Sequence, residues 1–385
     1  MQLPQNLNRK ESAQQFETWL KQAKNERLSR RALTQQQAVY QIPVVFHVIH
    51  SGSNEGFGTN INEERIFEQI KILNQDFRRT NPDADDTPSQ FRNVASDTEI
   101  EFVLAKQDPE GLPTNGIVRI KGSKDVYEPS DDRILMAESY WPHHEYLNIY
   151  VTDLSGSNLG FAQFPFSNLP GIATEFENYA ITDGVVLDYK WVGINESTGS
   201  FDSYGRTATH EIGHYLGLRH IWGDGGCGFD DFCSDTPLAD SSNSGCSTNA
   251  VSCDTKDMIQ NYMDYTDDVC MNLFTVCQRE RMRTVLEQSP RRRSLLTSHA
   301  LEDPMLFTND LGLRSVVSPI QADCSSDVTP RVEVRNYGSN NITSFRINFL
   351  LNSTLIESKE SNIPLTTSET AVISFAPIAI NASQA

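Results

Sequence analysis

Eleven residues, His210 to His220, constrain this chain more than any other stretch, because they read H-E-x-x-H-x-x-G-x-x-H. His210 and His214 are four residues apart, so they share one face of a helix and can bind one Zn²⁺ together. Gly217 lacks a Cβ and can therefore take a left-handed conformation that ends the helix. The turn then brings His220 round as a third ligand. Three protein ligands leave a fourth position for water, which is typical of a catalytic zinc site.

Glu211 follows the first histidine and can reach a water on the metal without being a ligand itself. The pattern predicts peptide hydrolysis in which Glu211 takes the water's proton and passes it to the leaving amine. Zinc would lower the pKa of that water and polarise the scissile carbonyl. The short motif H-E-x-x-H occurs by chance in unrelated chains. A chance match to all five fixed positions is expected in roughly one chain in a hundred thousand.

The same pattern is the signature of the metzincin metallopeptidases, which also have a methionine turn downstream. Met263 lies in the segment Asn261–Tyr265, and Asp267–Cys270 follows it. These residues closely resemble the pappalysin family, in the branch that contains ulilysin-like and mirolysin-like bacterial proteases. The upstream segments Ile42–His50, Asn74–Asn81 and Thr98–Phe102 extend the resemblance, which covers about residues 40–288.

The resemblance implies an α/β (α+β) zinc-peptidase domain of metzincin type, with a twisted mixed sheet and an active-site helix. The hydrophobic pattern predicts a buried strand at 43–49, strands at 99–105, 147–154 and 184–189, and an edge strand at 159–165 that an extended substrate could join. The zinc-motif helix is expected to begin near Tyr204. Another helix is predicted from apolar residues at helical spacing: Ile66, Ile70, Leu73 and Phe77.

At 385 residues the chain is expected to contain two or three units. Residues 1–38 are interpreted as a pro-peptide remnant or a linker, with a candidate cleavage point at Arg30–Arg31. Residues 39–290 form the predicted catalytic domain, and 291–309 a linker. Residues 310–385 alternate in short segments, which indicates a small all-β domain, a β-sandwich of immunoglobulin-like type. Few strands are expected after Phe375, so this domain is expected to be truncated.

Charge and cysteine content restrict the environment and the partners. The net charge of −19 makes nucleic acid and anionic membranes poor partners. No apolar run reaches the length of about 18 residues that spans a membrane. Six cysteines between Cys227 and Cys277 indicate an oxidising compartment. We therefore expect a secreted or cell-surface bacterial protein whose signal peptide is absent from this sequence, and whose own pro-peptide acts as inhibitor.

The resemblance implies two disulfides next to the zinc motif, Cys227–Cys253 and Cys246–Cys270. Cys233 and Cys277 are additional and suggest a third bridge, which would leave Cys324 as an odd thiol. The resemblance also places a calcium site in the loop 231–236, and the alternative is a solvated acidic loop. The calcium ligands would be Asp231, Ser234, Asp235 and Thr236.

Tyr265 stands two residues after Met263, where several metzincins place a tyrosine near the zinc. It would donate a hydrogen bond to the tetrahedral oxyanion, or else only pack in the turn. Asp267 and Asp268 make the segment after the turn acidic, and in metzincins this segment lines the S1′ pocket. A carboxylate facing inward would select Arg above Lys at P1′ through a bidentate pair, whereas carboxylates facing solvent would not.

Two classes of function remain open on the sequence. One is an active zinc endopeptidase acting on proteins or peptides. The other is an extracellular binding module, stabilised by zinc and calcium, whose catalytic site is latent or inactive. Retention of Glu211 and all three histidines favours the enzyme.

Overall fold

The computed structural model describes residues 11–34, 39–170, 172, 179–195, 203–319 and 327–379. The chain divides into two compact units. The first comprises Met1–Lys106 and Thr114–Glu302, and the second comprises Gln107–Pro113 and Asp303–Ala385. The zinc motif therefore lies in the first unit.

A six-stranded mixed sheet forms the core of the first unit. Strand β1 lies within it, with eight consecutive buried residues. Strands β2 and β3 pair in parallel with successive halves of β1, and β4 pairs in parallel with its other side. Strand β6 continues the parallel order, and β5 pairs with it antiparallel as the edge strand. The strands are β1 (Tyr40–His50), β2 (Ile100–Leu104), β3 (Ile117–Lys121), β4 (Leu147–Thr152), β5 (Gly160–Ala162) and β6 (Val185–Asp188).

Helices cover this sheet and position the zinc motif. The expected mixed α/β fold is confirmed, including the helix that buries Ile66, Leu73 and Phe77. The zinc-motif helix, α4, is buried along its whole length and contacts α2, β5 and β6. The helices are α1 (Ala13–Thr34), α2 (Glu63–Phe77), α3 (Asp132–Glu138), α4 (Arg206–Tyr215), α5 (Val276–Gln288) and α6 (Pro290–Leu295), and the short strands are β7 (Ile194–Asn195), β8 (Ser203–Tyr204), β9 (Val251–Ser252) and β10 (Thr255–Lys256).

The expected linker at 291–309 is wrong over its first part. Pro290–Leu295 is helix α6, and Arg291 and Arg292 are buried. Arg292 donates two hydrogen bonds of 2.9 Å to the carboxylate of Asp183 and one of 2.8 Å to the carbonyl of Tyr215. Arg292 thereby anchors the end of the zinc-motif helix, and both arginines are buried instead of solvated. The first unit therefore extends to Glu302.

The second unit contains strands and no helix among its described residues. Strands β11, β13 and β16 form one sheet, while β12 pairs with β17 and β14 with β15. Val334, Leu365 and Ile373 form its small core. The immunoglobulin-like arrangement stays a prediction, and Cys324 lies outside the described residues. The strands are β11 (Leu311–Ser318), β12 (Asp327–Val328), β13 (Arg331–Asn336), β14 (Phe345–Leu351), β15 (Thr354–Ser361), β16 (Thr370–Ser374) and β17 (Ile378–Ala379).

In the part of the chain that the structure describes, none of the helices combines the length and the apolar character needed to cross a bilayer.

Candidate active site

Three imidazoles converge at the end of helix α4. The Nε2 atom of His214 lies 3.1 Å from Nε2 of His210 and 3.0 Å from Nε2 of His220. His210 and His214 lie one turn apart on α4, and Gly217 ends the helix with a φ of +89°. The turn therefore brings His220 to the same point, as the sequence predicts.

The opposite ring nitrogen of each histidine is held by an acceptor. Nδ1 of His210 donates to the carbonyl of Tyr262 over 2.7 Å, and Nδ1 of His214 donates to the carbonyl of Leu218 over 2.8 Å. Nδ1 of His220 meets the carboxylate of Asp224. With the proton on Nδ1, all three Nε2 lone pairs point at one another. This arrangement is unfavourable without a cation between them.

Burial also keeps these histidines in the form that binds metal. Burial lowers the pKa of His210 to about 4, and burial together with the neighbouring imidazoles lowers the pKa of His214 well below its ordinary value. Burial, followed by the neighbouring His210, does the same for His220. Three neutral imidazole nitrogens match the ligand set of catalytic zinc sites. The residues present therefore fit Zn²⁺, and their donor atoms are close enough to share one ion.

Glu211 lies beside the three histidines with its carboxyl group turned away from solvent. It is 1% exposed, and its Oε1 has no hydrogen-bond partner among the described residues. Gly160 of β5 packs directly above it, because a Cβ at that glycine would lie 3.0 Å from Cγ of Glu211. Burial raises the pKa of Glu211 to about 8. A buried carboxyl group without a protein partner is suited to hold and move a proton of water.

The methionine turn lies under the histidines. Met263 is fully buried, and its backbone N–H donates to Oδ1 of Asn261 over 2.9 Å. A Cβ at Gly213 would lie only 2.4 Å from Sδ of Met263, so the helix and the turn touch at a residue without a side chain. Gly213 occupies a variable position of the motif, and sequence reasoning missed it.

Tyr265 packs at the edge of the site. Its ring centre lies 4.8 Å from that of His220 and 4.8 Å from that of Trp222, which itself stacks on His220 at 4.3 Å. Burial, followed by the charge of Glu211, raises the pKa of Tyr265 far above its ordinary value. The hydroxyl therefore keeps its proton and remains a hydrogen-bond donor.

A cavity of about 210 Å³ opens beside His210 and Glu211 and includes Asp268 in its wall. Oδ2 of Asp268 accepts hydrogen bonds from the backbone N–H groups of Tyr204 and Arg206, at 2.9 and 3.0 Å. This carboxylate therefore also holds the start of α4, a structural task that the sequence does not reveal. Asp267 lines a larger adjoining cavity of about 830 Å³.

The expected calcium ligands serve local hydrogen bonds. Oδ1 of Asp231 accepts from the backbone N–H of Cys233 and from the hydroxyl of Thr236, both at 2.9 Å. The carboxylate of Asp235 instead accepts from the hydroxyl of Thr275 at 2.7 Å and from the N–H of Cys277 at 2.8 Å, at the start of α5. Ser234 is exposed to solvent. The two carboxylates therefore face different donors, and a calcium ion is not shown.

Two disulfides brace the segment after the zinc motif. They are Cys227–Cys253 and Cys246–Cys270, with Cα–Cα distances of 5.4 and 5.7 Å, and these are the two pairs expected from the sequence. The expected third bridge is not formed, because Cys233 and Cys277 are free thiols. Their sulfur atoms and a carboxylate oxygen of Asp235 lie within 4.8 Å of one another. Cys277 instead directs its sulfur towards the carbonyl of Phe232, at 3.8 Å.

Sequence reasoning also missed the groups that orient the site. Asp224 stands four residues after His220, a spacing that could have suggested it as the partner of Nδ1. Arg281 donates from Nε to the carbonyl of Gly217 over 2.7 Å, but a contact across 64 residues leaves no local signal.

Comparisons with known proteins agree on one group of enzymes. Residues 130–287 match the peptidase family model described as pregnancy-associated plasma protein-A. An extracellular metalloprotease of Arthroderma benhamiae is 32% identical over 281 residues, which cover 69% of this chain and 81% of that protein. Extracellular metalloprotease 1 of Coccidioides posadasii is 31% identical over 255 residues, which cover 66% of this chain and 79% of that protein.

Solved structures are similar as well. Mature mirolysin of Tannerella forsythia, in complex with a cleaved peptide, is 42% identical with a TM-score of 0.63, and the match covers 70% of this chain and 100% of that one. A promirolysin mutant from the same organism is 40% identical with a TM-score of 0.63, and that match covers 74% of this chain and 94% of the other.

Proposed function

This chain belongs to the pregnancy-associated plasma protein-A family of zinc metalloendopeptidases, and from that premise we propose that it is secreted and cuts proteins before a basic residue. The observation that carries the peptidase chemistry is the convergence of three neutral imidazoles beside Glu211, whose Oε1 has no hydrogen-bond partner among the described residues. The alternative of an inactive binding module is not favoured, because both the ligands and the base are retained.

The proposed mechanism assigns one task to each side chain. His210, His214 and His220 would hold Zn²⁺, which when bound supplies a lowered pKa for a water and polarisation of the scissile carbonyl. Glu211 takes the proton of the water and delivers it to the leaving amine. Tyr265 donates its hydroxyl hydrogen bond to the oxyanion of the tetrahedral intermediate. An extended substrate pairs with the edge strand β5 by β-augmentation.

Casein cleavage by the purified chain tests the peptidase function. A chelator should abolish the cleavage, and added zinc should restore it. Glu211→Ala should keep the fold and about one zinc per chain but lose at least ~10²-fold in rate. Glu64→Ala removes an exposed carboxylate of α2 and serves as the matched control. Unchanged cleavage by the Glu211 variant would show that water is activated by another group.

The proposed preference for Arg at P1′, above Lys, rests on the acidic wall of the cavity beside His210. Asp268 lies in that wall together with Asp264. Arg206 lies there too, but its guanidinium already pairs with Asp83 at 2.7 Å. The remaining negative charge favours a guanidinium, and Asp267 adds charge in the adjoining cavity.

Three fluorogenic peptides that differ only at P1′, with Arg, Lys or Leu there, test this preference. Asp268→Asn keeps an oxygen that can accept the two backbone N–H groups, so α4 should keep its start. This variant should lower the ratio of Arg to Leu cleavage on the order of tenfold. Equal or faster cleavage of the Leu peptide by the wild-type chain would rule out an acidic S1′ pocket.

We also propose that the N-terminal segment is a pro-segment and inhibitor. Helix α1 packs against α5, and it buries Phe16 and Leu20 there. A docked helix supports a pro-segment better than a free linker. Cleavage at Arg30–Arg31 should increase the activity of the full chain, measured by N-terminal sequencing alongside casein hydrolysis.

A structural calcium ion in the loop 231–236 remains part of the proposal. Asp231 is buried, and burial raises its pKa well above the ordinary value. A cation that keeps the carboxylate ionised would offset this cost. Calcium added to chelator-treated, zinc-reloaded protein should raise the melting temperature. An unchanged melting temperature would count against the site.

A further inference from the structure

Helix α1 places one buried carboxylate next to the zinc motif. Glu17 is 5% exposed although it belongs to the N-terminal segment. Its Oε1 accepts a hydrogen bond of 2.6 Å from Nη2 of Arg281 and one of 2.8 Å from Nε of Arg219. Oε2 accepts from Nη1 of Arg281, so the pair with Arg281 is bidentate. One buried carboxylate therefore pairs with two arginines.

Both arginines act on the turn that delivers the third zinc ligand. Nε of Arg281 donates to the carbonyl of Gly217 over 2.7 Å, and that glycine has a φ of +89°. Arg219 lies inside the turn, directly before His220. The N–H of Gly217 donates to the carbonyl of His214 over 2.9 Å, so the same turn also ends the helix that carries the first two ligands.

A second residue of α1 reaches the same turn. Phe16 is buried, and its ring would lie 3.8 Å from a Cβ placed on Gly217. The ring of Phe16 also packs edge-on against Phe164, with centres 5.1 Å apart. The apolar contact and the ion pairs thus hold the turn from the same side.

We propose that Glu17 is a positioning residue for the zinc site, acting through Arg281 and Arg219 on the turn that carries His220. This inference rests on the proposed function, since it assumes that the three histidines hold Zn²⁺. It assigns the N-terminal helix a task besides inhibition, namely tight retention of the metal while the segment is attached.

The burial of the charges supports this role. The side chains of Glu17 and Arg281 are 4% and 5% exposed, so bulk water screens their charges little. An uncompensated buried arginine shifts or draws in water. Arg281 would then lose the fixed orientation in which its Nε meets the carbonyl of Gly217. The position of His220 depends on that turn.

Zinc affinity of the full chain tests the proposal without relying on activity. Glu17→Gln keeps the size of the side chain and removes its charge. It should weaken zinc binding on the order of tenfold in competition with a chromophoric chelator, as loss of outer partners of metal ligands does. The visible spectrum of the Co²⁺-substituted protein should shift, because the third ligand moves. Glu26→Gln, on the exposed face of α1, should change neither quantity.

A second variant protects the test against misfolding. Arg219→Gln leaves the bidentate pair of Glu17 and Arg281 intact, and it should weaken zinc binding less than Glu17→Gln. A Glu17→Gln protein that melts earlier but keeps wild-type zinc affinity and cobalt spectrum would overturn the positioning role and leave the proposed function intact. A wild-type chain that binds no zinc would overturn the proposed function as well.

Discussion

At the scale of single residues, the active site depends on a side chain that is absent. Gly213 lies on α4 between the first two ligands, where a Cβ would meet Sδ of Met263 at 2.4 Å. Such a distance requires the side chain of Met263, the helix or the turn to shift. The glycine therefore sets how closely the methionine turn approaches the ligands, although the motif allows any residue at this position.

Gly213→Ala should therefore destabilise the fold by about 1–3 kcal/mol, the usual effect of overpacking a core. Gly228→Ala is the matched control, because nothing lies within 4 Å of the Cβ it would carry. Urea denaturation of both variants measures the difference. Equal midpoints for the two variants would show that the core absorbs the added methyl group.

Tyr265 raises a different question, because packing and catalysis would use different parts of its side chain. Tyr265→Phe keeps the ring against His220 and Trp222 and removes only the hydroxyl. If the hydroxyl stabilises the oxyanion, kcat should fall by about 10²-fold, as for loss of one oxyanion donor. Zinc content and melting temperature should be unchanged. A variant with normal kcat would limit Tyr265 to packing.

At the scale of elements, the sequence predicts those that carry a strong local pattern. Strand β1, helix α2 and the edge strand β5 follow from runs and periods of apolar residues. Strand β3 has a partly exposed pattern and was missed. Helix α6 was missed because its three consecutive arginines resemble solvated charge, whereas Arg292 finds Asp183 across 109 residues. Partners so distant in sequence leave no local signal.

The residues of the candidate site also divide into those that a local sequence pattern predicts and those that it does not. Fixed spacing predicts the three histidines, Glu211 and the methionine turn. Asp268 was predicted only as a specificity residue, because its hydrogen bonds to the start of α4 depend on the folded loop. Cys233 and Cys277 are adjacent as expected, but the sulfurs remain unbonded. Composition could predict their proximity and not their bonding state.

The docking of α1 should depend on pH through Glu17. Burial alone would raise the pKa of Glu17, but the charges of Arg281 and Arg219 outweigh it, so the pKa is lowered. A lowered pKa in the folded state gives stability that is complete above the unfolded value of 4.5 and is lost as the pH falls through the folded value.

At neutral pH and without metal, the unfolding free energy of the wild-type chain should therefore exceed that of Glu17→Gln by about 3 kcal/mol. This value is the lower end of the usual destabilisation from breaking a buried ion pair. The difference should shrink below the unfolded pKa. Denaturation of both proteins across this range measures it, and the histidines cancel because both proteins contain them. A difference that is constant with pH would show that Glu17 is not ionised in the folded chain.

At the scale of the whole molecule, the division into two units has an unusual form. The second unit takes in Gln107–Pro113 from within the first, and this short segment pairs with itself through the N–H of Asp108 and the carbonyl of Leu112. Asp108 and Glu110 accept from Arg335, and Glu110 also accepts from the hydroxyl of Tyr337. The three histidines of the zinc motif, Glu211 and the six-stranded sheet all lie outside this unit.

A chain that ends at Glu302 should therefore fold and keep its zinc and its casein cleavage. It should be less stable by about 1 kcal/mol, because Asp108 and Glu110 would lose their ion pairs with Arg335. Asp108→Asn should reduce the stability of the full chain while changing the shortened chain little. Zinc analysis, casein hydrolysis and urea denaturation of the four proteins measure these effects. A shortened chain that folds but binds no zinc would show that the metal site requires the second unit, contrary to the division of the fold.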